Sequence, residues 1–179
     1  IKVHRKVHNS ATGEHILLFH SHYLKLWKNK WYAFGYALEL TQKREFNPYV
    51  LPIDENIIKI KNTKDKVKTN SINYTGEPLS TYFFKDIIGV TNLKKTKVSD
   101  IVIRFHDASK FHRLKLKPPH FSWTVIDSNE KHNDVSICVK INNELLNFLY
   151  ENSTEIEVLK PNSLRLIMAN KLKLAASYY

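Results

Sequence analysis

Residues 14–40 form one β-type run with a single interruption, and this run constrains the chain most. Glu14–Trp27 has strand content, Lys28-Asn29 follows, and Lys30–Leu40 resumes with Trp31, Tyr32, Phe34 and Tyr36. Aromatic side chains favour a pleated, half-buried surface. A two-residue connection between two such runs predicts a tight hairpin. The flanks carry the same signal. Ile1–His8 is a short strand and Asn9–Gly13 a turn, while Thr41–Pro48 is a polar loop. Tyr49–Ile53 is strand-like, Asp54-Glu55-Asn56 turns, and Ile57–Lys61 alternates. Five short strands with tight turns and no helix predict a small β-barrel over residues 1–63.

The second half has a different rhythm. Lys64–Pro78 is polar and predicts a linker, and Leu79–Ile88 predicts a short helix ending near Gly89, so 64–95 is expected to connect two domains. Ser99–His106 alternates Ile101, Ile103 and Phe105, as a strand does. Ala108–Leu116 predicts a helix halted by Pro118-Pro119. Phe121–Ile126 and Val135–Ile141 are expected strands joined by a turn near Ser128-Asn129. Glu144–Tyr150 is helical, Ile156–Leu159 a strand, and Pro161 opens a last helix through about Ser177. Over 96–179 the order β-α-β-β-α-β plus a terminal helix is the ferredoxin-like order. The expected class is α+β.

Charge narrows the functional classes. The net charge is +11, and it is unevenly spread. Residues 1–68 carry +7 and residues 94–119 carry +6, while the two remaining stretches carry −1 each. Such an excess suits a polyanion. Four glycines form no phosphate-cradling loop motif, and one cysteine excludes an intramolecular disulfide and a multi-cysteine zinc site. No run is long enough to span a bilayer, and no signal-peptide core follows the start, so a cytoplasmic protein without a membrane partner is expected. The near-neutral C-terminal third suits packing or dimerisation.

Six cations lie on the hairpin and its following loop: His20, His22, Lys25, Lys28, Lys30 and Arg44. His20 and His22 are two apart, which places both on one strand face. With the neighbours Tyr23, Trp27, Trp31 and Tyr32 they suit an anion-binding surface. Cations neutralise phosphates, and aromatic faces stack bases. The structural alternative is a barrel core plus ordinary turn lysines, and Trp31 and Phe34 are expected in that core. A second basic block, Lys94-Lys95-Thr96-Lys97 with Lys110, Arg113, Lys115 and Lys117, is either a solvated face or a phosphate track. Two histidines are too few for a zinc site, so no metal is expected. Cys138 sits in an apolar strand and is expected to act as a small buried hydrophobe. No nucleophile elbow or other catalytic constellation occurs, so no enzyme activity and no cofactor are expected.

Three stretches together resemble a known family. They are His20-Ser21-His22-Tyr23-Leu24-Lys25 running into Asn29-Lys30-Trp31-Tyr32-Ala33-Phe34-Gly35, then Leu51-Pro52-Ile53-Asp54 leading to Ile57-Ile58-Lys59-Ile60, then Phe84-Lys85-Asp86-Ile87-Ile88-Gly89-Val90-Thr91. Their order is similar to that of WYL-domain transcription regulators of bacteria, with Ala33 in the place of the final Leu of the triplet. The resemblance implies an SH3-like or Sm-like WYL barrel over 1–63 and a ferredoxin-like C-terminal extension domain over 96–179. It further implies a ligand-sensing region that binds a nucleotide or oligonucleotide, single-stranded DNA in some members. His20, His22, Tyr23, Lys25, Lys30, Tyr32 and Arg44 are the expected ligand contacts. Homodimerisation is implied, as is duplex DNA binding through an N-terminal helix-turn-helix domain not included in this chain. The alternative is a structural dimerisation or protein-interaction module without a ligand.

Overall fold

The computed structural model describes residues 1–6, 13–39, 47–64, 83–93 and 95–179. It divides into two compact units, Ile1–Phe83 and Phe84–Tyr179. The two sheets are antiparallel and belong to separate units, and the helices flank the second sheet, so the class is α+β.

The first unit contains β1 (Lys2–Lys6), β2 (Glu14–Trp27), β3 (Lys30–Glu39), β4 (Asn47–Ile53) and β5 (Ile57–Lys61). Their order in the sheet is β4-β3-β2-β1-β5. The last strand therefore returns to pair with the first, which is the strand order of an SH3-like or Sm-like barrel. Among the described residues no ladder joins β4 to β5, so the hydrogen-bonded sheet is open along that line. Both edges still feed one core. Leu51 of β4 is buried with Val3, Leu17, Phe19, Ala33 and Ala37, and Tyr49 and Ile57 pack against the cluster. Lys28 (φ 46°) and Asn29 (φ 61°) are both left-handed, the conformation that a two-residue type I′ hairpin requires. The expected loop Thr41–Pro48 ends earlier than predicted, because Asn47 and Pro48 already pair with Ala37 and Tyr36. An edge strand tolerates Pro48 and Pro52, since one side of it needs no N–H donors.

One irregularity sets which side chains share a face. Ser21 pairs with Gly35 and Tyr23 with Phe34, so His22 is an extra residue in a β-bulge. Before the bulge the odd residues Leu17 and Phe19 point to the core. After it Leu24 and Leu26 lie opposite Ala33 and Trp31, on the core side. Gly35 makes the bulge possible. A Cβ there would lie 2.0 Å from the carbonyl oxygen of His20.

The second unit contains β6 (Val98–Phe105), α1 (Ala108–Leu116), β7 (Thr124–Ser128), β8 (Asn133–Lys140), α2 (Asn143–Glu151), β9 (Ile156–Lys160) and α3 (Asn162–Ala176). The sheet order β7-β8-β6-β9 is the ferredoxin-like arrangement, with an additional terminal helix. Alternation places Ile101, Ile103 and Phe105 of β6 and Val135, Ile137 and Val139 of β8 on the buried face. Phe111 of α1, Leu145 and Leu149 of α2, and Leu164 and Met168 of α3 are buried too. Asp107 caps α1 by accepting from the Lys110 amide, and Asn142 caps α2 by accepting from the Leu145 amide.

Residues 84–93, expected in a connecting segment, are packed into this unit. Ile87, Ile88 and Val90 are buried. The Asn142 side-chain amide donates to the carbonyls of Ile88 and Thr91, both at 2.9 Å. Glu144 Oε1 accepts from the Thr91 amide at 3.1 Å and its hydroxyl at 2.7 Å. Of the expected helix Leu79–Ile88, Phe83 and Phe84 are helical, Ile87 and Ile88 are not, and 79–82 lie outside the described residues. The strand expected from Phe121 begins at Thr124, because the chain turns where the Trp123 amide donates to the His120 carbonyl.

Candidate functional site

The outer face of the β2–β3 hairpin gathers most of the expected ligand contacts. Four cross-strand pairs line it: His20 with Tyr36, Tyr23 with Phe34, Lys25 with Tyr32, and Trp27 with Lys30. Without the bulge, Tyr23 and Lys25 would fall on the core side and lie apart from His20. The face is graded. Phe34 is fully buried, its ring centroid 4.2 Å from that of Phe83, and Tyr36 is buried beside it. Toward the turn the surface opens: Tyr23 is 44% exposed, Lys25, Trp27 and Tyr32 are half-buried, and Lys28 and Lys30 are exposed. Lys25 Nζ stands 5.9 Å from the Trp27 ring centroid, so cation and aromatic are already held together.

The two histidines meet at the bulge. His22 Nε2 and His20 Nδ1 are 3.0 Å apart, and their rings form an edge contact at 4.5 Å. The Tyr36 ring lies 5.6 Å from that of His22. A hydrogen bond between two ring nitrogens needs one of them to be an acceptor, hence unprotonated. Partial burial, and then the neighbouring His20, lower the His22 pKa below the usual histidine value. An anion arriving here would favour the proton that the pair otherwise resists.

The structure thus brings His20, His22, Tyr23, Lys25, Lys30 and Tyr32 onto one hairpin, while Arg44 lies outside the described residues. Trp31 is corrected: it is 51% exposed rather than in the core. It shares the core-side face with Leu24, Leu26 and Ile53, which continue that face beyond the buried cluster and are all exposed. Phe34 is buried as expected, but on the outer face.

The second unit holds groups that the sequence did not bring together. Arg104 donates to both oxygens of Asp134, each bond 2.8 Å. Asp134 is buried, and this pairing first, with the attraction of Arg104, holds its carboxyl below the usual carboxylate range despite burial. His132 Nε2 lies 3.2 Å from Asp127 Oδ2 and 4.0 Å from Asp134 Oδ2. Asp127, His132 and Asp134 offer three metal-type donor atoms within 4.8 Å of one another, although no metal is expected from the sequence. Both Asp134 oxygens are engaged by the guanidinium, so Arg104 and Asp134 form an ion pair tying β6 to β8, and the His132 ring reaches from there to Asp127 on β7. The three donors come from two strands and a turn, at spacings no short motif marks.

Cys138 is also corrected. It is exposed, because it alternates with the inward Ile137 and Val139. Partial desolvation and a hydrogen bond to Asp100 push its thiol pKa up, which disfavours the reactive thiolate. Of the second basic block, Lys110 is paired with Glu155 at 3.3 Å, whereas Lys95, Lys97, Arg113, Lys115 and Lys117 are exposed. An apolar groove of about 170 Å³ runs between β9 and α3, lined by Ile156, Val158, Met168 and Leu172 among others.

No family model matches the chain, and no curated protein matches it. Among the described residues no helix is long and apolar enough to cross a membrane.

Proposed function

We propose that this chain is the ligand-sensing region of a WYL-type bacterial transcription regulator, acting in the cytoplasm and without enzymatic activity. Its ligand is a nucleotide or an oligonucleotide such as single-stranded DNA, taken up on the outer face of β2–β3. One observation carries this reading: six of the seven expected contacts share that hairpin, where three of the four outer-face pairs set a His or Lys opposite an aromatic ring. Phosphates would be met by Lys25, Lys30 and the histidine pair. Bases would stack on Tyr23 and Tyr32, each stack adding about 1–3 kcal/mol. Binding would shift a homodimer between states and so act on a duplex-DNA-binding domain of the same regulator.

Fluorescence anisotropy with a labelled oligothymidylate tests the proposal. Affinity should fall with salt, and Lys25→Ala and Lys30→Ala should each flatten the log–log slope by about 0.7 per lost phosphate contact. Binding that ignores salt, or that both variants leave unchanged, refutes it.

A second reading has its own observation. Residues 170–179 are all exposed, although α3 continues to Ala176 and carries Leu172 and Leu174 there. That favours a dimerisation or protein-interaction module that senses nothing. Light scattering of the wild type and of Leu174→Glu tests it: a dimer lost in the variant, with no thermal shift by any nucleotide or oligonucleotide, favours this reading over the first.

A further inference from the structure

The geometry of α1 and the loop after it points to a docking surface for an acidic lipid bilayer, independent of any ligand on β2–β3. Phe111 is the buried residue of α1 and fixes which way the helix faces. At 3.6 residues per turn, Leu116 then falls near the centre of the outward face. His112 and Arg113 stand one turn before it and Lys117 directly after it, and all three are exposed. Leu116 is 87% exposed. Phe121 follows at 73% exposed, and its position is fixed by its neighbours. His120 is buried, with Nε2 2.9 Å from the Lys85 carbonyl and Nδ1 2.8 Å from the Ser122 hydroxyl. Ser122 Oγ in turn accepts from the Cys138 amide at 2.9 Å. The frame therefore holds an aromatic ring out in water.

Along the segment that carries these two side chains, the charge is of one sign. Residues 108–126 contain no Asp or Glu. Lys110 is neutralised by Glu155, but among the described residues no carboxylate pairs with Arg113, Lys115 or Lys117. Two exposed apolar side chains on a segment whose exposed cations have no carboxylate partner among the described residues match an interfacial membrane contact: the cations meet anionic headgroups, and the apolar tips enter the acyl boundary. A nucleic acid fits less well. A base stacks on a ring, but the aliphatic Leu116 offers it no π-face, whereas the acyl boundary accepts both side chains. From the sequence no membrane partner is expected, because a long apolar run is the mark of a span and a leucine left outside on a helix leaves no such mark.

Vesicle flotation of the whole chain tests the proposal, using phosphatidylcholine with and without phosphatidylglycerol. The protein should float with the anionic vesicles only, and less as salt rises. Arg113→Gln with Lys117→Gln should weaken binding about thirty-fold, or about five-fold per charge. Leu116→Ser with Phe121→Ser should weaken it more than about ten-fold, with an unchanged circular dichroism spectrum, since both side chains are exposed. Lys25→Ala with Lys30→Ala should leave flotation as it is. No flotation with anionic vesicles overturns the proposal, as does flotation that survives the Leu116 and Phe121 changes. Loss of oligonucleotide binding in that variant with vesicle binding intact would also overturn it, and would make the patch a nucleic-acid surface.

Discussion

Gly35→Ala should break the first unit at the bulge. A Cβ built at position 35 lies 2.0 Å from the His20 carbonyl oxygen, 2.9 Å from its carbon and 3.0 Å from the Ser21 Cα. All three are backbone atoms, so no side chain can swing aside. The strands must part by roughly 1 Å, which stretches ladder bonds of about 2.9 Å past the length at which they count as hydrogen bonds. Losing two such bonds beside a buried core costs about 2–5 kcal/mol. For a unit of this size that lowers the melting temperature by roughly 10–25 °C. Gly13→Ala is the control: its φ is +64°, but nothing lies within 4 Å of the added carbon. Only the left-handed backbone penalty of about 1–2 kcal/mol applies there. Tryptophan fluorescence reports the first unit alone in a Trp123→Phe background, because Trp27 and Trp31 remain. Trp123 is a tolerant site for this, since its buried indole N–H has no hydrogen-bond partner among the described residues. A Gly35→Ala protein that melts with the wild type would refute the close approach of β2 and β3, and with it the shared face.

Two further outcomes follow from charge. Because the folded-state pKa of Asp134 is depressed, its ion pair supports the fold above the usual carboxylate pKa and is lost as pH falls through the lowered value. Asp134→Asn should therefore lower the melting temperature by a few degrees at neutral pH and flatten the acid limb of a stability–pH curve; an unchanged acid limb would count against the pairing. His22 also has a depressed pKa, so the unfolded chain takes up its proton first as pH drops below about 6.5. Stability should decline from there until the folded-state value is reached, while oligonucleotide binding, which favours the proton, should strengthen. His22→Gln should remove both trends, as read by thermal melts and anisotropy across that range.

The sequence made some of this architecture legible and hid the rest for identifiable reasons. β2, the Lys28-Asn29 turn and α1 fall where alternation, turn length and the double proline place them. Those signals are local, and local geometry satisfies them. The bulge was not legible, because an extra residue is defined by the partner strand. Only Gly35, a strand-interior glycine, hinted at it. Cys138 and Trp31 show a different limit. Both lie in strands of the expected kind, but burial depends on parity and on where the core ends. Parity could have been read for Cys138 from Val135, Ile137 and Val139. For Trp31 nothing in the chain marks the edge of the cluster. The grip of Asn142 and Glu144 on 88–91 joins positions more than fifty apart in sequence, and the Asp127, His132 and Asp134 group depends on strand register.

His22 and Gly35 are bound to each other in a way that reaches beyond one molecule. In a regular antiparallel pair, facing Cβ atoms sit about 4.5–5.5 Å apart, so the collision at position 35 exists only because an extra residue tips the strands. A chain lacking residue 22 would keep every later pairing, from Tyr23 with Phe34 to Trp27 with Lys30. It would also no longer need a bare backbone at position 35. Homologues that are one residue shorter before this tyrosine should therefore be free to carry alanine or serine opposite, and those of equal length should not. The deletion should likewise rescue Gly35→Ala, giving a compensating pair that no inspection of either site alone would suggest.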